Sequence, residues 1–365
     1  MTQAAAPRAV VVGTGFGCRI QVPALRGAGF DVVALVGADA GRTRERARIN
    51  AVPGAYTDMA QAIADSGAEL VAISTPPYSH AELSIAALAA GCHVLCEKPF
   101  AKDAAEARAM LTAAEKAGKV HMIGNEFRYV PQRATVARAI AEGMIGEPRH
   151  ATILQYSSFL TDFAEDFPDW WFDPEQGGGW LGASGSHLVD QTRSWLGEFD
   201  AVSASLGSVT MQRGPVEDSF SVHFRLKNGV DGILQQTSGA HGQIVEMNRV
   251  AGTEGTIWMD WNGVHFADRS GERDLPVPPD LMLPEPPPLN ADPRLERLDW
   301  KFMAEVEIAH YTELAKALLA AMRGEPSPSP VAPASFADGL ANMEVMDAIR
   351  RSDASGGELV TVGQG

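Results

Sequence analysis

The pattern of hydrophobic positions divides the chain into two regions. In the first region, short apolar runs such as Val10-Val11-Val12 alternate with stretches of helical periodicity. Strands separated by helices of about 10–15 residues are typical of βαβ units around a parallel sheet. Ser79 with Glu82, and Asp103 with Glu106, are predicted helix caps. The predicted strands are 10–12, 31–37, 70–74, 92–96 and 120–124, and the predicted helices are 20–27, 42–49, 58–65, 79–90 and 103–117.

Beyond residue 150 the apolar positions recur with a period of two. Phe220, Val222 and Phe224 alternate with polar residues, and Asn228-Gly229 follows as a strong hairpin signal. This alternation is typical of an antiparallel sheet with one buried face. We predict domains at 1–124 and 125–365, and leave open whether the final helices pack back on the first. The predicted strands are 151–156, 202–209, 220–226, 230–236, 245–251 and 256–261, the predicted helices are 180–196, 300–322 and 336–350, and a proline-rich extended loop is predicted at 274–294.

Charge and composition narrow the function. The formal net charge of −16 argues against nucleic acid or an anionic membrane as the main partner, since both require a basic patch. No apolar run reaches the ~18 residues of a membrane span. The first eight residues leave no room for a signal peptide before the first strand. Cys18, Cys92 and Cys96 lack zinc-site spacing, so we predict reduced thiols, no metal and a cytoplasmic location.

A glycine-rich turn follows the first strand. Gly13-x-Gly15-x-x-Cys18 matches two of the three glycines of a dinucleotide fingerprint, and Cys18 is small enough for the third position. The second strand ends in Val36-Gly37-Ala38, without the carboxylate that would bind the ribose of NAD. Asp39 lies two residues late, and Arg42 and Arg44 lie just beyond it, which favours NADP. The alternative is that both arginines are solvated helix positions.

A second strand end carries a lysine. The sequence Cys96-Glu97-Lys98-Pro99 follows a hydrophobic strand, and Thr75-Pro76-Pro77 follows the strand before it. Ligands of α/β proteins bind at the carboxyl ends of parallel strands. We therefore predict a nicotinamide cofactor with Lys98 beside it. The predicted cofactor-binding residues are Gly13, Thr14, Gly15, Phe16, Gly17, Cys18, Arg42, Ser74, Thr75, Pro76, His80, Glu97 and Lys98.

A glycine-rich segment, 177–185, precedes His187. Asp190 lies three residues beyond His187, on the same helix face. The glycines are expected to allow a ligand to approach closely. Trp170 and Trp171 are candidates for an apolar wall that stacks on a sugar. The alternative is that the histidine and both tryptophans are core residues.

Together these segments resemble the Gfo/Idh/MocA oxidoreductases, named for glucose–fructose oxidoreductase and inositol dehydrogenase. The resemblance is carried by the Gly13–Cys18 turn, Thr75-Pro76-Pro77, the 90–99 block ending in Glu97-Lys98-Pro99, Phe127-Arg128-Tyr129-Val130-Pro131, the 177–190 segment, Asp338-Gly339-Leu340 and Asp347-Ala348-Ile349. It implies an α/β protein with an N-terminal Rossmann domain, a doubly wound parallel sheet, and a C-terminal α+β domain with a large, mostly antiparallel open sheet. That sheet often makes oligomer contacts in the family, so a homodimer or homotetramer is expected.

The resemblance also implies an activity: NAD(P)-dependent hydride transfer to or from a hydroxyl or carbonyl of a sugar, cyclitol or similar small polar molecule. Lys98 matches the family's active-site lysine, His187 its catalytic histidine and Asp190 a substrate-binding aspartate; Arg128 and Trp171 are further substrate-binding candidates. Ala183 stands where many relatives carry an aspartate. Two alternatives stay open: redox-neutral elimination or glycoside cleavage with retained cofactor, and a non-catalytic nicotinamide-binding sensor.

Overall fold

The chain folds into two compact units. A computed structural model describes residues 5–162, 167–210, 214–285 and 298–363. The first unit comprises Met1–Ala101, Ala105–Tyr129 and Leu283–Gly339, and the second comprises Lys102–Ala104, Val130–Met282 and Leu340–Gly365. The domain boundary at 124/125 stays a prediction. The units differ from it mainly in grouping residues 283–339 with the N-terminal segment.

A six-stranded parallel sheet forms the centre of the first unit, with the strand order β3-β2-β1-β4-β5-β6. This is the order of a doubly wound dinucleotide-binding fold, so the predicted N-terminal fold class is confirmed. The strands are β1 (Arg8–Val12), β2 (Asp31–Val36), β3 (Gly54–Tyr56), β4 (Leu70–Ile73), β5 (His93–Cys96) and β6 (His121–Ile123). The sequence missed β3, a half-buried edge strand of three residues without an apolar run.

Helices cover this sheet and share its core. They are α1 (Val22–Ala28), α2 (Ala40–Ile49), α3 (Met59–Ser66), α4 (His80–Ala89) and α5 (Ala104–Ala117). A long C-terminal helix, Leu298–Arg323, contributes Ile308, Tyr311 and Leu314 to the same hydrophobic cluster as Val11 and Leu25. This helix is therefore part of the first unit, although its residues lie far from that unit's strands in the sequence.

One local prediction in this unit is wrong, and one helix begins earlier than predicted. Ser79 does not cap α4, because its hydroxyl turns back to Thr75 Oγ1 and Pro76 O, at 2.7 and 2.9 Å. The helix after the glycine-rich turn opens with a π-helical turn, Gly17–Gln21, before α1 begins.

A nine-stranded sheet dominates the second unit, with the order β14-β13-β12-β11-β7-β10-β9-β8-β15. Its pairs are antiparallel except β7 with β10, so the predicted mostly antiparallel sheet is confirmed. The predicted hairpin joins β9 to β10, with Val222 opposite Leu234. The strands are β7 (Pro148–Tyr156), β8 (Phe199–Gly207), β9 (Ser219–Leu226), β10 (Asp231–Thr237), β11 (Val245–Gly252), β12 (Thr256–Asp260), β13 (Gly263–Asp268), β14 (Gly271–Leu275) and β15 (Val360–Thr361).

The proline-rich region departs from the predicted extended loop. Its first residues complete β14, whose Gly-Glu-Arg-Asp-Leu sequence lacks the alternation of a half-buried strand, and Pro279–Leu281 form a 3₁₀ turn. Residues 286–297 lie outside the described residues. The remaining helices are α6 (Pro131–Ala141), α7 (Phe159–Asp162), α8 (Ser186–Leu196), α9 (Leu298–Arg323) and α10 (Phe336–Ala354). Within the described ranges, none of the helices combines the length and apolarity that crossing a membrane requires.

Candidate active site

The glycine-rich turn lies where β1 and β4 end, the point at which strand order reverses. Gly13 has a φ of +116°, and a Cβ there would lie 2.5 Å from Ser74 O. A Cβ on Gly17 would lie 2.8 Å from Val11 Cγ1 and closer still to Ser74 Oγ. Gly15 differs, because a Cβ there meets no atom within 4 Å. Gly13 and Gly17 therefore serve packing, and Gly15 leaves open space for a ligand.

Cys18, at the third fingerprint position, packs into the core as the sequence predicts. Cys18 is fully buried in the hydrophobic cluster of the first unit. Phe16 packs edge-on against Tyr311, with ring centroids 5.5 Å apart. These side chains pack beneath the turn. Cys18 has no exposed surface with which to make the predicted contact with a cofactor.

The loop after β4 is held by His80, which is completely buried. Its Nδ1 lies 3.0 Å from Pro99 O and its Nε2 lies 2.8 Å from Thr75 O. Burial lowers the pKa of His80, and a neutral ring can donate to only one of these carbonyls. Because both ring nitrogens face backbone oxygens, the geometry favours a structural role for His80. It joins the loops that follow β4 and β5 and is not placed for direct contact with a cofactor.

Lys98 is half-buried at the carboxyl end of β5, next to the buried Glu97. Gln21 Nε2 donates to Glu97 Oε1 at 2.7 Å, and Tyr311 Oη donates to Glu97 Oε2 at 2.9 Å. Burial raises the pKa of Glu97 to about 7, against the opposing effect of the Lys98 charge. The strand end thus combines an ammonium group with a carboxyl that titrates near neutrality. Lys98, Ser74 and the glycine turn lie in one compact unit, as the sequence predicts.

The end of β2 is closed by small polar side chains. A Cβ on Gly37 would lie 2.6 Å from Thr43 Oγ1 and 2.7 Å from Thr14 Cγ2. Asp39, the nearest acid, accepts a hydrogen bond from the Arg42 backbone N–H at 2.6 Å and caps α2. The Arg42 side chain is exposed.

Arg128 makes contacts that fix the fold of the first unit. Its guanidinium donates to Asp338 Oδ1 at 3.1 Å and to Ala332 O at 3.3 Å. Burial acts to raise the pKa of Asp338, but the Arg128 charge and hydrogen bonds from Ser335 hold it below its ordinary value. The substrate-binding role of Arg128 stays a prediction, and these contacts favour a structural one.

His187 lies in the first turn of α8, in the second unit, and is 4% exposed. The π-helical turn Leu181–Gly185 precedes it. The expectation that the nearby glycines leave room for a ligand is wrong for three of them. A Cβ on Gly178 would lie 2.6 Å from Trp171 O, one on Gly179 2.7 Å from a Glu217 oxygen, and one on Gly185 3.0 Å from Phe220.

Asp190, one turn beyond His187, is also buried. Asn342 Nδ2 of α10 donates to its Oδ1 at 3.2 Å, and Arg193 donates to Asn342 at 2.9 Å. Ala183 is buried as well, and the hydroxyl of its neighbour Ser184 accepts a hydrogen bond from Gln236 at 2.7 Å. Ser184 is therefore engaged with the sheet at the position next to the missing aspartate.

Sequence reasoning missed Glu217. Its Oε1 accepts the Leu181 backbone N–H at 2.9 Å, and Trp180 N donates to its backbone oxygen. Burial raises the pKa of the Glu217 carboxyl, against the effect of hydrogen bonds from the backbone N–H groups of Glu217 itself and Leu181. Only the three-dimensional fold could have revealed it, because 30 residues separate it from His187 and no motif surrounds it.

The tryptophans predicted as a sugar wall form an aromatic cluster in the same unit. The Trp171 ring centroid lies 4.4 Å from Phe167, 5.5 Å from Trp170 and 6.1 Å from Trp180. Trp170 and Trp171 are half-buried, whereas Trp180 is buried. Their partial exposure keeps both the stacking role and the core role possible. In the described ranges no cluster of His, Cys, Asp and Glu has the arrangement of a metal site.

Two family models match the chain. Residues 7–125 match the oxidoreductase family with an NAD-binding Rossmann fold, and residues 134–258 match the GFO/IDH/MocA C-terminal domain. The first match contains the glycine turn and Lys98, and the second contains His187 and Asp190.

Two relatives of the chain are named for sugar derivatives. Levoglucosan dehydrogenase of Pseudarthrobacter phenanthrenivorans is 32% identical over 246 residues, which cover 60% of this chain and 62% of that protein, less than two thirds of its length. The 1,5-anhydro-D-fructose reductase of Ensifer adhaerens is 30% identical over 268 residues, 71% of this chain and 79% of that protein. A solved levoglucosan dehydrogenase in complex with NADH and levoglucosan superimposes with a TM-score of 0.82 at 27% identity, over 98% of this chain and 100% of that one.

The glycine geometry predicts opposite effects for two matched substitutions. Gly17→Ala should lower the free energy of unfolding by about 1–3 kcal/mol, because its methyl group meets Ser74 and Val11. Gly15→Ala should leave unfolding within about 0.5 kcal/mol but weaken NADH binding about tenfold. Urea denaturation and fluorescence titration with NADH measure the two effects. Gly15→Ala binding NADH like the unchanged protein would contradict the assigned ligand space.

Proposed function

Because this chain belongs to the GFO/IDH/MocA family of NAD-binding oxidoreductases, we propose that it transfers a hydride between a nicotinamide cofactor and a hydroxyl or carbonyl carbon of a sugar, cyclitol or related small polar molecule. The observation that carries the proposal is Lys98, held at the carboxyl end of β5 in the same unit as the glycine turn. Two relatives named for action on sugars or anhydrosugars support the substrate class.

The first unit fits a dinucleotide at the switch point of its sheet. Gly15 has open space where a side chain would stand, and the Ser74–Pro76 loop lies beside Gly13 and Gly17. The pyrophosphate would approach the backbone at Gly15, since glycine in this position permits close contact. Thr14 and Phe16 flank that approach.

The reaction needs a donor at the reacting oxygen and a proton carrier. The bound nicotinamide supplies or accepts the hydride. Lys98 would donate a hydrogen bond to the reacting oxygen and stabilise the negative charge that develops there. His187 would exchange the hydroxyl proton as general acid and base. Asp190 would orient the substrate, and Trp171 would stack on its apolar face.

A turnover screen tests this function. Polyols, sugars and cyclic ketones are offered with each cofactor, and the absorbance of the reduced nicotinamide is followed. Net cofactor conversion with at least one of them is the expected result. Product formed without net cofactor conversion would point to redox-neutral elimination or glycoside cleavage. Cofactor binding without any turnover would point to a sensor.

Lys98→Met should lower kcat about 10²–10³-fold, because a donor to the reacting oxygen is lost. Cofactor affinity should stay within a few fold, since Lys98 is assigned to the substrate. Lys116→Met is the matched control, on the exposed face of α5, and should leave kcat unchanged. An undiminished kcat in Lys98→Met would refute the assignment.

We also propose a modest preference for NADP. Gly37-Ala38 follow β2 where a carboxylate would repel a 2′-phosphate, and the exposed Arg42 lies in the first turn of α2. Asp39 is the nearest acid, and one of its oxygens is engaged in capping that helix. The solved relative is in complex with NADH, so the proposed preference rests on this chain's own residues and not on that relative.

Arg42→Ala should weaken NADP binding about tenfold and leave NAD binding nearly unchanged, because the arginine is assigned to the extra phosphate. Arg48→Ala on the same helix, where Arg48 pairs with Glu45, is the control and should affect neither. Calorimetric titration with both cofactors measures this. Tighter binding of NAD than of NADP by the unchanged protein would end the proposal.

An oligomer through the open sheet is the third part of the proposal. Ile233 of β10 and Val245 and Met247 of β11 are exposed, and the half-buried Leu154 of β7 lies opposite Met247. Such an apolar stripe is typical of a surface that pairs with a second copy. The cytoplasmic location likewise stays a prediction from three buried cysteines that form no disulfide bond.

Met247→Glu should shift the protein towards monomer, because it places a charge in this apolar stripe. Met282→Glu, at an exposed methionine outside the sheet, is the control. Multi-angle light scattering measures the mass. A monomeric unchanged protein, or a variant with unaltered mass, would overturn the assigned interface.

A further inference from the structure

On the face that α6 and α8 cover, the nine-stranded sheet ends in a pair of polar side chains. Along β7, the positions on this face are Ala151, Ile153 and Gln155, and the first two are fully buried. Gln155 is half-buried and lies directly opposite Glu246 of β11, which is also half-buried. Side chains of directly opposed residues are close enough to contact one ligand. The reaction proposed above gives Gln155 and Glu246 no part.

Two donors hold Glu246 from the protein interior. Arg133 of α6 donates to Glu246 Oε1 at 3.0 Å, and Asn248 Nδ2 donates to the same oxygen at 3.1 Å. The Arg133 side chain is buried, so this ion pair fixes the carboxylate in place. Both contacts use one oxygen. Glu246 Oε2 accepts no hydrogen bond from any residue that the structure describes.

Gln155 is held in a similar way. Gln236 of β10 lies beside it in the strand register and donates through Nε2 to Gln155 Oε1 and, at 2.7 Å, to Ser184 Oγ. Gln236 is 1% exposed, so these contacts fix the amide of Gln155 from the buried side. Among the described residues, the Gln155 Nε2 group finds no acceptor. Gln155 and Glu246 therefore present an N–H donor and a carboxylate oxygen side by side at the end of the sheet.

The same contacts put these two residues on the side of α8 that carries His187. Gln191, one turn after His187 on the same helix face, donates to Asn248 Oδ1 at 3.1 Å, and Asn248 binds Glu246. Ser184, one turn before His187, binds the other half of the network. His187 therefore lies between two anchors that join its helix to the polar end of the sheet.

Resting on the proposed function, in which His187 exchanges the hydroxyl proton, we propose that Gln155 and Glu246 determine specificity by binding two neighbouring hydroxyl groups of the substrate. The Gln155 amide donates to one hydroxyl oxygen, and Glu246 Oε2 accepts the O–H of the next. A substrate carboxylate or phosphate in this place would meet the like charge of Glu246. The two residues therefore select uncharged ring polyols over sugar acids and sugar phosphates.

Gln155→Leu tests the hydroxyl contact, and Gln235→Leu is the matched control. Gln235 lies on the opposite face of β10 from Gln236 and likewise has hydrogen bonds to lose, with Tyr156 and Ser221. With a substrate found in the turnover screen, Gln155→Leu should raise KM about tenfold and leave kcat within about threefold, because the hydroxyl is bound equally in ground state and transition state. Gln235→Leu should change neither constant.

A titration that needs no turnover tests the selectivity. The protein, saturated with the nicotinamide cofactor that it binds, is titrated calorimetrically with D-glucose, D-xylose, myo-inositol and D-glucuronate. At least one of the three uncharged polyols should bind, and D-glucuronate should bind about tenfold more weakly than the best of them. Equal or tighter binding of D-glucuronate, or binding of none of the three polyols, would overturn the proposal.

A double variant tests the role of the carboxylate in this selectivity. Glu246→Gln combined with Arg133→Met removes both charges, so no buried cation is left unpaired and the net charge of the chain is unchanged. The discrimination against D-glucuronate should fall about tenfold. Full discrimination in the double variant would show that Glu246 does not contact the ligand. If this variant does not fold, Gln155→Leu carries the test, because Gln155 is half-buried and uncharged.

The outcomes separate this proposal from the function. An unchanged KM in Gln155→Leu, or an equal rise of KM in Gln235→Leu, overturns the hydroxyl contact while hydride transfer stands. Without any turnover, the titration decides instead. A polyol that binds the unchanged protein and binds Gln155→Leu about tenfold more weakly supports the contact, although the proposed hydride transfer then falls.

Discussion

The close contact between the glycine turn and Ser74 is the constraint on which the first unit depends. Gly13 and Gly17 let the end of β1 and the following helical turn approach Ser74 within distances that no larger residue permits. This close packing fills the space between the turn and Ser74, whereas the space beside Gly15 stays open. Because β1 and β4 are neighbours where the strand order reverses, the packing that the fold itself needs also leaves the space in which we propose that the cofactor binds.

The same unit concentrates charge in its interior. Buried carboxyls are costly unless they are hydrogen-bonded or paired, and here Gln21, Tyr311 and Lys98 supply those partners to Glu97. Tyr311 belongs to α9, so this network joins α9 to β5, the strand that precedes the lysine. The chemistry proposed for Lys98 therefore depends on a segment more than 200 residues away in sequence.

In the second unit, polar side chains hydrogen-bond around the helix that carries His187. Asp190 and Arg193 are joined through Asn342, and Glu217 caps the turn that leads into α8. These contacts hold the helix that carries His187, and the glycines before it serve packing. Ala183 is buried, and the adjacent Ser184 hydroxyl accepts a hydrogen bond from Gln236, so neither side chain offers His187 a carboxylate.

The sequence by itself determined the parallel and antiparallel sheets, the glycine turn and the strand-end position of Lys98, because these follow from local periodicity and from the conformations that glycine and proline adopt. Short or polar edge strands such as β3 and β14 escaped, since their residues carry no apolar alternation. The tertiary structure alone decided that both ring nitrogens of His80 face backbone carbonyls, that Arg128 binds Asp338, and that Tyr311 of α9 binds Glu97. These outcomes depend on burial and on contacts between distant segments, and neither is encoded in the spacing of residues along the chain.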